Sequence, residues 1–406
     1  MGSEQQYIEL YREAANVIRA KSCGVMNAVR DEAFETFQQV GFPSKKVERY
    51  KYTDVDAAFA PNYGISLAPL TVKPSLYLFN IKDAPVDVTP YYHKLADTSD
   101  AITALNTALV HDALLVYVPK NTRVADPIVV DNWLRGSAAT MVNRRVLVVM
   151  GQGSDATMIM NDHAADGVPF LSTQVMEVFC QDGSSLDLYE VEETTPLCNR
   201  FSNVYVEVGR DCSVKHNGLT LFNGRTRNQC DVRLTGEHSE VTLNGCAIGG
   251  GDQFIDNNTL IDHQVPNCQS SELYKYVVDD HAVGAFAGKI LVRKEAQGTV
   301  SQETNANLCA SPDARMFSQP MLEIYADDVK CAHGSTVGVM DEAALFYMCQ
   351  RGIPEAEARS LLKNAFMGQV IEQIKHEPLR QRLFVKVEKR FRGELEKCDD
   401  CRLCKS

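Results

Sequence analysis

The spacing of apolar residues changes twice along the chain, and the two changes divide it into three regions. Between residues 4 and 40 the apolar positions Ile8, Tyr11, Ala15 and Ile18, then Val29, Ala33, Phe37 and Val40, fall three or four apart. That spacing predicts helices, stopped by "GFPS" where Gly and Pro end the pattern. From "LLVYVP" near Leu114 to "LEIYAD" the texture becomes short alternating runs of Val, Ile, Thr and Leu, punctuated by Gly, Asn and Asp. Such runs predict strands with turns between them. Helical spacing returns at "DEAALFYMCQRGIPEAEARSLLKNAF". Asp341 is placed to cap a helix ending near Gly352, and Pro354 suits the first turn of the next. Leu379, Leu383, Val387, Phe391 and Leu395 recur every four residues, predicting a long amphipathic helix that runs into the C-terminal tail.

The strand region also repeats. "GQGSDATMIM", "QDGSSLDLYEV", "VGRDCSVKHNGL" and "TGEHSEVTLNGC" share one order: a Gly or polar turn, a small residue, then alternation. With Asp155, Ser185, Cys212 and Ser239 as equivalent points, the steps are 30, 27 and 27 residues. Steps of that size suit one coil of a β-solenoid, and the competing architecture is a β-sandwich of short strands. The organisation expected is a helical N-terminal region with an irregular lead-in (1–110), a β core (111–338) and a C-terminal helical region (339–406).

Charge and cysteine content narrow the class. Forty-one Lys and Arg against 53 Asp and Glu leave a net charge of −12, which disfavours phosphate backbones and anionic lipid surfaces as partners. The most basic stretch, Arg380 to Arg392, is interleaved with Glu388 and followed by Glu394 and Glu396, and reads as a solvated helix face rather than a nucleic-acid site. The N-terminus has no apolar run of signal length, and no stretch of 18 apolar residues occurs. Thirteen cysteines, an odd number and mostly scattered, point to reduced thiols. A soluble cytoplasmic protein is expected.

Four segments bear on chemistry. "VLVVMGQGSDA" matches a dinucleotide fingerprint only superficially: strand texture continues after Gly151 and Gly153, where the fingerprint needs a helix N-terminus. No G-x-x-x-x-G-K-[ST] occurs, so this chain carries no P-loop. Asp279–Asp280 and Asp327–Asp328, near His263 and His281, match the grouped acids of a β-helical carbohydrate enzyme, or simple turn and capping residues. In "DDVKCAHGSTVG" a strand would turn Val329, Cys331 and His333 to one face. A thiolate beside an imidazole can bind zinc or iron, or serve as nucleophile and base; equally, Cys331 can pack as a small hydrophobe. Two ligands are half a metal site, so the rest would come from another strand or another chain. "CDDCRLC" sets Cys398, Cys401 and Cys404 in two overlapping C-x-x-C steps, a possible three-thiolate metal site or an unligated tail.

The run "LEIYADDVKCAHGSTVGVMDEAALFYMCQRGI" closely resembles the signature of the SufB/SufD family, which assembles iron–sulfur clusters. Upstream, "DNNTLIDHQVPNCQSSELYKYVVDDHAVGAFAGKILVRKEAQGT" resembles the family's T-x-x-x-H-x-x-P, S-x-x-x-Y-K and F-x-G-x-I-x-V elements, and "FPSKKVERYKYTDV" resembles an early element common in its SufD branch. The resemblance runs from about residue 34 to 376. "KCAHGSTVG" is similar to SufD, where SufB proteins carry H-E-A, and Ala314 in "ASPDARMFSQP" stands where SufB has a cluster-building cysteine.

The resemblance implies a right-handed parallel β-helix core between helical ends, in a subunit that is not itself an enzyme. It implies pairing with a SufB-type subunit through the two β-helices, and docking of a SufC-type ATPase on the helical region after Gly338, where Phe346, Tyr347, Arg351 and Gly352 are the expected contacts. His333 matches a family histidine at the SufB interface, and Cys331 its neighbouring cysteine, both facing a nascent cluster. No permanently bound cofactor is implied: the iron–sulfur cluster is transient, and ATP enters only through SufC. A homodimer is expected when the chain is isolated. For such a subunit the three tail cysteines become candidates for iron or zinc.

Overall fold

The computed structural model describes residues 3–68 and 75–394. The Leu395 of the amphipathic pattern and all three tail cysteines lie outside them. At its centre is a parallel β-solenoid of about eight turns, in which each coil gives one strand to each of two sheets. The first sheet runs from Leu114–Val118 to Arg315–Ile324, with the short strand Leu78–Asn80 added antiparallel at its beginning. The second runs from Ile128–Leu134 to Val329–Val339. The sandwich alternative falls, because apart from Leu78–Asn80 the strands stacked in both sheets are parallel and one coil apart.

Register decides which side chains stack. Asp155 pairs with Ser185, Ser185 with Ser213, and Ser213 with Glu240, giving steps of 30, 28 and 27 residues. The sequence marker at Cys212 is therefore one residue early. Cys212 stacks on Ser184, its sulfur 3.6 Å from the Ser184 hydroxyl. A slip of one residue would have turned every following side chain to the opposite face. Gly151 and Gly153 are corner residues, as the strand texture requires. A Cβ on Gly151 would stand 2.6 Å from the Lys120 backbone nitrogen of the previous coil, and the strand Asp155–Ala164 follows without a helix.

Between the sheets, Val, Leu, Met and Ile from successive coils stack into one apolar core. The outer faces are covered by helices. Tyr7, Tyr11, Ile18, Phe37 and Phe59 of the N-terminal region pack on Met141, Leu171 and Phe201 of the first sheet. Met367, Ile371, Leu379, Leu383 and Val387 pack on Ile159, Val191, Leu221 and Ile248 of the second. Each such buried side chain contributes roughly 1.5–3 kcal/mol by leaving water.

The early motif "VERYKYT" is a docking element: Arg49 makes a bidentate pair with Asp231, Arg227 lies 4.1 Å over the Tyr50 ring, and Tyr52 stacks on Phe317. Asp341 caps Glu342–Gln350 by accepting from the Ala343 and Ala344 amides, and Pro354 precedes Glu355–Ile371 as its N-cap.

Two helical expectations change. The last helix stops at Arg392, where Gly393 takes a left-handed conformation (φ 71°) and breaks the run toward the tail. Its basic residues are only partly a solvated face: Arg392 is exposed and pairs with Glu388, but Lys386 is buried against Glu193, and Arg390 reaches the Leu221 carbonyl and Gln253. Carboxylates and carbonyls of the solenoid flank draw these last two cations inward.

The two ends of the solenoid differ. At the beginning, Leu78–Asn80 pairs antiparallel with the first-sheet strand Leu114–Val118. At the far end, no described strand pairs beyond Arg315–Ile324 or Val329–Val339, and both strands keep one unpaired edge. Tyr325, Val337 and Val339 are 60%, 53% and 76% exposed there. Unpaired edge strands of this length invite pairing.

Candidate functional site

Cys331 and His333 lie on the last strand, Val329–Val339, with Cys331 opposite Ser301 and His333 opposite Glu303. Because Ser301 and Glu303 point into the solenoid, both C-x-H side chains take the inward-facing position of a coil that has no successor. His333 is exposed as a result. Cys331 is half-buried beside Ile290, Val292 and Leu322, and burial pushes its thiol above the usual range.

The register also exposes a pattern that the sequence reading missed. Ser270-x-Glu272, Ser301-x-Glu303 and Cys331-x-His333 occupy identical places in three successive coils. The signal lay in the sequence as S-x-E, S-x-E and C-x-H at steps of 31 and 30 residues. In one column, His263 Nε2 lies 2.9 Å from Ser270 Oγ, which lies 2.6 Å from Ser301 Oγ, one strand beneath Cys331. In the other, Glu272 (2% exposed) and Glu303 (0%) stand on adjacent strands behind His333. Both carboxyl groups are buried, Glu272 with the Thr259 hydroxyl as a neighbouring donor and Glu303 without a hydrogen-bond partner. Burial raises both carboxyls well above the ordinary range, and Glu272 raises Glu303 further.

Other carboxylates inside the solenoid are served differently. Asp162 is held by Arg144 and by Arg200 at 2.7 Å, and the two guanidinium charges outweigh burial to keep its carboxyl far below the usual range. Glu190 accepts from Gln174 at 2.8 Å and lies 2.8 Å from His216. Glu192 accepts from Thr226 at 2.8 and 2.9 Å, and burial pushes it up to about 7.

The remaining candidates are dispersed. Asp279 pairs with Lys363 of the C-terminal region, Asp280 is a corner residue with φ 52°, and His281 is exposed, while His263 is buried. The grouped acids thus make corners and helix contacts, not a carbohydrate-cleaving pair. Ala314 is buried just before Arg315–Ile324. Phe346 (65% exposed) and Tyr347 (59%) lie on the outer side of Glu342–Gln350, with Arg351 5.2 Å over the Tyr347 ring and Gly352 (φ 85°) ending the turn. Among the described residues no three His, Cys, Asp or Glu side chains converge to hold a metal ion, and no helix is long and apolar enough to cross a membrane.

Comparison with known proteins agrees with this layout. A family model described as the SUF system FeS cluster assembly SufBD core domain matches residues 133–366, and one for the SufBD protein N-terminal region matches residues 1–80 and 75–130. The chain is 26% identical to the iron–sulfur cluster assembly protein SufD of Escherichia coli, over 87% of this chain and 90% of the relative. It is 27% identical to an iron–sulfur cluster assembly SufBD family protein of Synechocystis, over 77% and 68%. It is 26% identical to the SufD of Bacillus subtilis, over 72% and 67%. With the core domain spanning more than half of its 406 residues and a solenoid ending in the C-x-H strand, the chain belongs to the SufBD family of iron–sulfur cluster assembly proteins.

Proposed function

We propose that the chain is a noncatalytic scaffold subunit of the SufD type, working in the reducing cytoplasm. In this reading a second β-helical subunit of the SufB type adds its strands to the open edges, and His333 and Cys331 supply part of the ligand set for a cluster built at the joint. The observation that supports it is the last strand, Val329–Val339, which keeps one edge unpaired and carries both C-x-H residues at the inward-facing positions of its coil. An incomplete set suits a cargo that must leave, because a closed four-ligand site would retain it.

The cluster is substrate, not resident cofactor, and no permanent cofactor is assigned. A SufC-type ATPase, docked on Phe346, Tyr347, Arg351 and Gly352, would supply ATP hydrolysis and strain the joint. The exposed aromatic pair on Glu342–Gln350 supports that contact. Without its partner the chain would pair with a second copy through the same edges. Cys398, Cys401 and Cys404 are assigned an accessory iron- or zinc-binding role, tested by anaerobic iron binding with a chain ending at Lys397.

The central test is cluster formation in vivo with His333→Ala in the assembled complex. A loss with the complex intact is expected, and undiminished assembly would sink the role of His333.

A further inference from the structure

In the middle coils of the solenoid, two glycines stand side by side: Gly218 on Ser213–Phe222 is the register partner of Gly245 on Glu240–Gly249. Only one of the two hollows they leave is filled. A Cβ on Gly245 would stand 2.0 Å from the Tyr274 ring of the next coil, whereas one on Gly218 would meet nothing nearer than His216 Cε1 at 3.9 Å. The space at Gly218 belongs to a chamber between the sheets, lined by Glu190, Arg200, Ser202, His216, Thr220 and Asn228 among others. The volume open there to the centre of a water molecule is about 20 Å3, where one water needs roughly 10–15 Å3.

His216 lines this chamber with one ring nitrogen bare. Its Nε2 lies 2.8 Å from Glu190, whose carboxylate also accepts from Gln174 at 2.8 Å and from Arg200 at 3.4 Å. Burial opposes ionisation of Glu190, but the His216 bond and the neighbouring cations outweigh it and hold the carboxyl below its usual range. An ionised carboxylate only accepts, so Nε2 carries the hydrogen, and Nδ1 of the neutral ring is left as an acceptor. His216 is 6% exposed, and its Nδ1 has no hydrogen-bond partner in the protein. A bare acceptor in the interior carries the full desolvation penalty.

We propose that the chamber beside Gly218 is a binding site for an ordered water, which donates a hydrogen bond to His216 Nδ1. The lining selects a small neutral molecule, because an anion would meet Glu190 and a cation would meet Arg200. Further partners are at hand: the Ser202 hydroxyl accepts from Gln174 at 3.0 Å and keeps its own hydrogen to donate, and Thr220 and Asn228 line the same space. Gly218 is not among the glycines with a left-handed backbone, so no turn requires it. Its missing side chain is what leaves room for the water. The site is independent of anything that binds at the C-x-H strand.

Two measurements on the full-length chain test it. Magnetic relaxation dispersion of water oxygen-17 counts long-lived internal waters. Gly218→Ala should remove one, and an unchanged count in a folded variant overturns the site. The second measurement needs no variant. In wild-type crystals a solvent peak is expected about 2.7–3.2 Å from His216 Nδ1, and pressurised xenon should leave the chamber alone, since it enters dry apolar cavities. A protein group bonded to Nδ1, or xenon beside Gly218, overturns the proposal.

Discussion

Replacing Glu177 with glutamine tests how the N-terminal region is fastened to the solenoid. Glu177 and Arg145 face outward from the first sheet beneath the N-terminal region, both 0% exposed. The carboxylate accepts from Arg145 Nη2 at 2.6 Å and from the backbone amides of His93, Lys94 and Leu95, each at 2.8 Å, and Ala96 at 3.2 Å. His93 is held at φ 59° so that these amides converge. Burial opposes ionisation, but the arginine charge and the amide donors overcome it, so the carboxyl is held below its usual range.

Glutamine keeps the shape and removes the charge. Arg145 is left buried without a counter-ion, a loss of about 3–5 kcal/mol. The amide nitrogen must also face donors, which places the loss toward the upper end. Against a total stability of roughly 5–15 kcal/mol this is severe. Urea unfolding followed by the single Trp133, which stacks 4.5 Å from His163, gives the change, and proteolysis near residues 93–96 reports local release. A loss under about 1 kcal/mol would refute the reasoning, since exposed pairs are worth that little. The pH dependence has a definite sign. With the folded carboxyl depressed, the unfolded chain binds more protons below about pH 4.5, so stability falls as pH drops through that range. Glu177→Gln should flatten this acid limb.

Two further perturbations probe the solenoid interior. Gly245→Ala would place a Cβ 2.0 Å from the buried Tyr274 ring and should cost about 1–3 kcal/mol in thermal unfolding, while Gly334→Ala, whose Cβ meets nothing within 4 Å, should stay within about 0.5 kcal/mol. For Glu272 and Glu303 the sign is opposite to that of Glu177. Both carboxyls are raised, so the folded chain holds more protons, and stability should fall as pH rises from about 5 to 9. Glu303→Gln should reduce that slope in a melting-temperature series, and an unchanged slope would show that the pair does not carry it.

Much of this protein was legible in the chain itself. Period-two alternation placed Cys331 and His333 on one strand face, and the recurrence near 28 residues gave a solenoid, because both follow from backbone geometry alone. Asp341 and Pro354 marked helix starts by local chemistry. What the sequence could not supply was register and burial. The Ser185–Ser213 step is one residue longer than the turn grammar indicated, and Glu272, Glu303 and His333 become a column only when three coils are aligned. Lys386 and Arg390 read as solvent-facing until the solenoid flank supplied Glu193 and Gln253. The open end, on which the proposed site depends, is likewise not written in any residue. A strand is an edge because nothing stacks beyond it, and burial depends on neighbours distant in the chain, so tertiary structure alone decided both.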